Sequence, residues 1–335
     1  MHRIVQWGTG FIGVVATQAI LDHSDLELVG CHAFSQDKIG QDVGTLVGRP
    51  ATGVIATGTV DEVIALKPDC VLYMPIQWDV DAMVALLEAG INIVSTANFI
   101  TGASYGEVDR ARIEAAAIKG GATAYGTGIN PGFANALGLM ATAVCKRVDK
   151  VSVLESVDAT PYASPDSWLS LGFGGPVHDG LPAIVKERSL VFIDAVELMA
   201  KALRVTIEDI GFSVEFGLAN RDLALGYMDI PTGTICGVKM LYSGVVQGRN
   251  VIELGLMWRL GDAMTPDWKA EEGYIIDVHG DPSVHCSFML TGEGSTNGTS
   301  TAMPAVHSIP SVIAAPPGIA DVHDLPMIVA VGAIA

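Results

Sequence analysis

Gly8, Gly10 and Gly13 stand in a G-x-G-x-x-G spacing within "QWGTGFIG". The stretch follows an apolar run, "HRIVQW", and opens a helical pattern, "VVATQAILDH". In that context the spacing reads as a cradle for a dinucleotide pyrophosphate. Gly8 permits the tight turn, and Gly10 lets a phosphate approach the backbone. Gly13 lets the helix pack closely on the sheet. Thr9, Phe11 and Ile12 supply the backbone between the glycines, and the helix start offers its N–H groups to the anion.

The second strand, "LELVGCHAF", decides which nicotinamide cofactor suits the site. An acid at its tip would bind a ribose 2′-OH and repel a 2′-phosphate. The sequence continues Ser35, Gln36, Asp37, Lys38, so no acid stands at the tip. Ser35 and Lys38 are positioned to take a phosphate, with His32 assisting if it points inward; Lys38 as a solvated loop charge is the other reading. NADP(H) is therefore the expected cofactor, with NAD(H) also accepted. Further contacts come from later strand ends: Met74 and Pro75 in "YMPIQ", Thr96 and Ala97 in "STANF", whose Asn98 would orient the substrate nitrogen or oxygen, and Asn130 in "TGINPGF". Open parallel sheets bind ligands at these carboxyl ends.

The elements that must hold these residues are legible as a rhythm. Through residue 147, short apolar strands alternate with helical patterns, as expected of a doubly wound parallel sheet, a Rossmann domain. From 148 to 300, longer alternating segments such as "TICGVKMLYSGVV" and "NVIELGLMWRL" are joined by turn signals. They predict an α/β domain with a mixed or antiparallel sheet for substrate and dimerisation. Residues 301–335 read as a helix with a proline-rich end. A net charge of −18 excludes nucleic acid as a partner. Five scattered cysteines without paired spacing argue for reduced core thiols and no metal site. No apolar run has transmembrane length and no signal pattern opens the chain, so a cytoplasmic protein without membrane contact is expected.

Taken together, these motifs resemble the dihydrodipicolinate reductase superfamily, and within it diaminopentanoate dehydrogenase and the related NAD(P)H-dependent amine dehydrogenases. The resemblance spans nearly the whole chain. It rests on "QWGTGFIG", "SQDKIGQDVG", "GINIVSTANF" and "GTGINPGF", then on "IPTGTICGVKM", "GRNVIEL" and the tail "SIPSVIAAPPGIADVHDLP". It implies a homodimer that passes hydride to a C=N bond, formed from a small carbonyl compound and ammonia, or that oxidises the amine in reverse. It also implies a C-terminal helix packed back on the nucleotide domain, lining the substrate cleft.

Two departures stand out. The paired histidines and basic cluster of dicarboxylate-binding reductases are missing. The glutamate that amine dehydrogenases carry after the "VST" strand is replaced by Ala97, Asn98 and Phe99. An amide can orient an amine or carbonyl but cannot act as a general base. Glu155 and Asp158, in "VLESVDATPYASPDSW", are the candidate replacements. Glu155 shares a strand face with Val151 and Val153, where it is a functional acid or a strand-end residue reaching water. Asp158 matches an acidic position of the family pattern or caps a turn. Tyr162, Trp168, Phe173 and Met199 are candidates for an apolar substrate pocket, with His178 in a glycine-rich loop and His307 on the tail helix; each histidine also has a structural reading. With no basic cluster, the pocket suits a neutral ketone or aldehyde better than a keto acid. Two other functions remain open: a carbonyl, imine or enoyl reductase of the same fold, and a dinucleotide-binding redox sensor without turnover.

Overall fold

The computed structural model describes residues 1–97, 99–269, 271–292, 298–331 and 333. In chain order, β1 (His2–Trp7), α1 (Phe11–Asp22), β2 (Leu26–His32), α2 (Val43–Leu46), β3 (Ala56–Thr57) and α3 (Val60–Ala65) come first. Then follow β4 (Cys70–Tyr73), α4 (Val80–Glu88), β5 (Asn92–Ser95), α5 (Glu107–Gly120), β6 (Thr123–Gly126) and α6 (Ala134–Ala141). The middle of the chain holds β7 (Arg147–Asp158), α7 (Pro165–Ser170), α8 (Leu181–Arg188), α9 (Val191–Leu203) and β8 (Asp209–Ala219). Two short strands, β9 (Leu223–Ala224) and β10 (Asp229–Ile230), precede β11 (Ile235–Val246) and β12 (Arg249–Arg259). The last elements are β13 (Met264–Thr265), β14 (Gly273–Asp281), β15 (Val284–Phe288), α10 (Thr299–Ile313) and β16 (Gly318–Ala320). The chain divides into two compact units, Met1–Phe133 with Asn297–Ala335, and Ala134–Thr296.

In the first unit, seven strands among the described residues form a sheet of order β16-β6-β5-β4-β1-β2-β3. Every pairing is parallel. Strand alternation sends neighbouring residues to opposite faces, and both faces are covered. Ile4, Leu72 and Val94 pack with Ala16 and Ile20 of α1 and with Ala302, Ala305 and Ile309 of α10. Val5, Val71 and Ile93 pack with Met83, Leu86 and Leu87 of α4 and Ile113 of α5. Helix starts follow local rules: Thr59 and Glu62 close a reciprocal capping box on α3, and Asp79 caps α4 through the Ala82 N–H. Because α10 and β16 complete this sheet and one of its faces, the C-terminal segment is part of the nucleotide unit's core.

The second unit is built on a mixed sheet of order β13-β8-β11-β12-β7-β14-β15. β7 and β12 run parallel, and the other pairs are antiparallel. Register aligns Tyr242, Leu254, Val153 and Ile276 in one row and Met240, Leu256, Glu155 and Tyr274 in the next. This is the apolar face, with α6 and α9 packed on it. The division falls before α6 and not near residue 147 as the sequence rhythm suggests. The reason is packing: α6 lies on β7, β14 and α9, so it belongs to the second sheet. Among the described residues no helix is long and apolar enough to cross a membrane, and no cluster of three His, Cys, Asp or Glu side chains could hold a metal ion.

Candidate active site

The glycine loop is shaped by close backbone approaches. Gly8 has φ +99°, and a Cβ there would lie 2.9 Å from the Met74 carbonyl oxygen. A Cβ on Gly13 would lie 2.2 Å from the Gly8 carbonyl oxygen. Gly10 differs: no described atom comes within 4 Å of where its Cβ would stand. Gly10 is also the N-cap of α1, whose first turn holds no acid. Open space thus lies at the positive end of a helix, the arrangement a pyrophosphate requires, and the residues present fit a dinucleotide. The loop is braced from below. The Gly8 N–H donates to the His32 carbonyl (2.9 Å), and the Gln6 side-chain amide donates to the Gly8 carbonyl (3.1 Å).

At the tip of β2, Lys38 folds back over this loop. Its ammonium donates to both the carbonyl and the hydroxyl of Thr9, each at 3.1 Å. Asp37 is exposed, and Ser35 beside it is exposed too. His32 does not reach the solvent edge: it is buried and stacks on Trp7 with ring centroids 3.8 Å apart and planes 6° apart. Burial holds its pKa below the ordinary imidazole value, so it forms a neutral wall.

The later strand ends gather at the same edge of the sheet. The Met74 N–H donates to the Trp7 carbonyl (2.9 Å), the Thr96 N–H to the Tyr73 carbonyl (3.2 Å) and the Thr127 N–H to the Ser95 carbonyl (2.9 Å). Pro75 follows Met74 into the loop, and Ala97 is buried, its carbonyl accepting from the Tyr105 hydroxyl at 2.6 Å. Asn130 has extended backbone, φ −157°, in the segment after β6. Asn98 lies outside the described residues.

In the second unit, Glu155 is 7% exposed on the otherwise apolar face of its sheet. Its carboxylate accepts from the Trp258 indole N–H at 2.9 Å. Tyr274, opposite it in register, has its phenol pKa raised by burial and then by the nearby Glu155 charge. Trp258 meets Trp168 edge to face (6.1 Å), and Trp168 in turn meets Tyr162 (5.8 Å) and Phe173 (5.3 Å). Three of the four proposed pocket residues therefore cluster around one ring that touches the glutamate's donor. Met199 is fully buried elsewhere on the face, beside Asn135 and Gly138 of α6. Asp158 anchors a turn: its carboxylate accepts from the Thr160 N–H (3.0 Å) and hydroxyl (2.6 Å). His178 is exposed in its loop.

His307 is placed away from the cofactor edge. It lines a crevice of about 310 Å³ with His2, His23, Asp25 and Met327, beside the start of β1 and the C-terminal end of α1. The glycine loop is at the other end of α1, about 18 Å away along twelve helical residues. Two contacts had no separate signal in the sequence, the Lys38 bond to Thr9 and the Trp258 bond to Glu155. The alternation of "NVIELGLMWRL" does place Trp258 on the apolar face, but its partner lies about a hundred residues earlier in the chain.

Residues 133–334 match the family model for the 2,4-diaminopentanoate dehydrogenase C-terminal domain. The chain is 27% identical to an amine dehydrogenase of Streptomyces virginiae, over 99% of this chain and 98% of that protein. It is 23% identical to the 2,4-diaminopentanoate dehydrogenase of Acetoanaerobium sticklandii, over 97% and 93% of the two chains. Among solved structures, the amine dehydrogenase from Mycobacterium smegmatis shares the fold with a TM-score of 0.83 at 23% identity, covering 98% of this chain and 97% of that one.

Proposed function

Because the chain belongs to the 2,4-diaminopentanoate dehydrogenase C-terminal domain family, we propose that it condenses ammonia with a small ketone or aldehyde and reduces the product to a primary amine with NADP(H), or runs that oxidation in reverse. It is an NAD(P)-dependent oxidoreductase acting on C–N bonds. It acts as a homodimer in the cytoplasm and prefers NADP(H).

A bound nicotinamide supplies or accepts the hydride. The protein does the rest. Gly8, Gly10 and Gly13 admit the pyrophosphate to the start of α1. Thr9, Ser35 and Lys38 receive the 2′-phosphate, which is the basis of the NADP(H) preference: an ammonium 3.1 Å from the Thr9 hydroxyl gives that corner a positive charge, and Ala33, Phe34 and Ser35, which directly follow β2, include no acid. Met74, Pro75, Thr96, Ala97 and Asn130 line the nicotinamide half.

Forming the C=N bond requires a proton to leave nitrogen and one to reach the departing oxygen. A carboxylate can do both in turn; an amide can do neither. Glu155 is assigned this task, and Asn98 orients the substrate's nitrogen or oxygen. The observation that carries the reading is the Glu155 carboxylate, buried on an apolar face and fixed by the Trp258 indole. Tyr162, Trp168 and Phe173, a cluster of aromatic rings, surround a neutral aliphatic or cyclic carbonyl compound. Asp158 is left to its turn.

The test is amine-dependent reduction of NADP⁺ across a panel of small primary amines, followed at 340 nm by the absorbance of the reduced nicotinamide. Reduction with any of them supports the assignment, and reduction by the matching alcohols but by no amine refutes it. One observation favours a second reading, reduction of a carbonyl or enoyl group without ammonia. Ala97 and Phe99 are buried and apolar where the resemblance calls for a glutamate nearby.

A further inference from the structure

We infer that Phe34 is the platform on which the adenine of the dinucleotide stacks, held at its angle by a ladder of aromatic rings behind it. The inference rests on the dinucleotide reading of the glycine loop. Phe34 stands two residues beyond the end of β2 and is 59% exposed. Exposed apolar side chains are common on any surface, so exposure alone decides nothing. The support behind this one does. Its ring meets His32 edge-on, 4.9 Å between centroids at 76°. His32 stacks flat on Trp7, and Trp7 leans on Tyr73 at 5.5 Å. Trp7, His32 and Tyr73 are all buried, so the last rung is fixed while its outer surface stays in water.

Position supplies the ligand. With the pyrophosphate at the start of α1, the adenosine ribose falls at the end of the second strand. Lys38, tied to Thr9, marks the same corner. The base attached to that ribose is then within reach of the residue at the strand tip, where an uncharged aromatic surface waits. Stacking on a phenyl needs no hydrogen-bond code and serves NADP(H) and NAD(H) alike. Phe34 accordingly sets affinity for the shared adenosine half, whereas Lys38 sets the preference between the two cofactors.

The experiment is isothermal titration of wild type, Phe34→Ala and Phe34→Trp with NADPH, NADH, 2′,5′-ADP and reduced nicotinamide mononucleotide, alongside melting without ligand. Phe34→Ala is expected to weaken NADPH, NADH and 2′,5′-ADP by about tenfold or more, the usual loss when a base-stacking ring is removed. Binding of the mononucleotide and the ligand-free melting temperature should not change, and Phe34→Trp should restore the lost affinity. Wild-type affinity in Phe34→Ala, within twofold, overturns the platform and leaves the cofactor reading standing. Loss of mononucleotide binding together with a lowered melting temperature assigns Phe34 a structural role and also overturns it. Failure of the wild type to bind either NADPH or NADH ends both.

Discussion

Gly10 and Gly13 lie three residues apart in one motif, yet substitution by alanine should damage the protein in opposite ways. At Gly13 the new methyl would be 2.2 Å from the Gly8 carbonyl oxygen, a backbone atom that cannot rotate away. The helix or the loop must shift, and overpacking of this kind costs about 1–3 kcal/mol. For a unit of this size that is a fall in melting temperature of roughly 5 °C. At Gly10 the methyl meets no described atom within 4 Å, and the backbone, φ −79° and ψ −172°, suits any residue. The stability change there should be within about 0.5 kcal/mol, because a small loss at the N-cap is offset by a less flexible unfolded chain. The same methyl, however, stands in the space assigned to the pyrophosphate, so Gly10→Ala should bind NADPH at least tenfold more weakly while melting like wild type. Calorimetric titration with NADPH and differential scanning calorimetry on both variants decide the matter. Wild-type NADPH affinity in Gly10→Ala would refute the placement of the pyrophosphate, and unchanged melting in Gly13→Ala would refute the close approach of helix and loop.

Other outcomes follow from the same contacts. Lys38→Glu should lower NADPH affinity about tenfold or more while sparing NADH, by replacing an attractive charge at the 2′-phosphate corner with a repulsive one; an unchanged ratio of the two dissociation constants removes Lys38 from that role. Trp258→Phe deletes one hydrogen bond to a carboxylate and should cost about 1.5–3 kcal/mol of stability, with a lower kcat and unchanged NADPH binding; steady-state kinetics and chemical denaturation read both. Burial lowers the pKa of His32 and His307 in the folded state relative to about 6.5 in the unfolded chain. The unfolded chain then binds more protons below that value, so stability is full above pH 6.5 and declines as pH falls through 6.5 toward the folded values. Melting temperatures measured from pH 8 to pH 5 should show this decline, and His32→Phe, which keeps a ring against Trp7, should flatten it.

Much of this molecule is written in local sequence, because glycine spacing and strand alternation are local properties. "QWGTGFIG" specifies a tight turn and a close helix contact within six residues, and the chain folds both that way. The run Val151, Val153, Glu155 put a carboxylate on an apolar face from alternation alone. What sequence left open depends on partners distant in the chain. An apolar helix pattern in α6 does not reveal which sheet it will join, so sequence rhythm alone places the unit boundary nearer β7 than the packing does. Helical periodicity in α10 does not say which end of the sheet each turn will face, and His307 went to the far end. Of the two readings of Asp158, an acid or a turn anchor, the turn contact is with Thr160, two residues on. The Trp258–Glu155 bond depends on the parallel register of β7 and β12, which no short window contains.

The most direct test of the central claim is NADPH oxidation by wild type and Glu155→Gln with a panel of small ketones and aldehydes, each with and without ammonium. The account predicts turnover that requires ammonium in the wild type. In Glu155→Gln, kcat should fall by about 10²–10⁴ as expected for loss of a general acid–base group, with NADPH bound as before. Wild-type turnover that is indifferent to ammonium, or a Glu155→Gln variant as active as wild type, would contradict it.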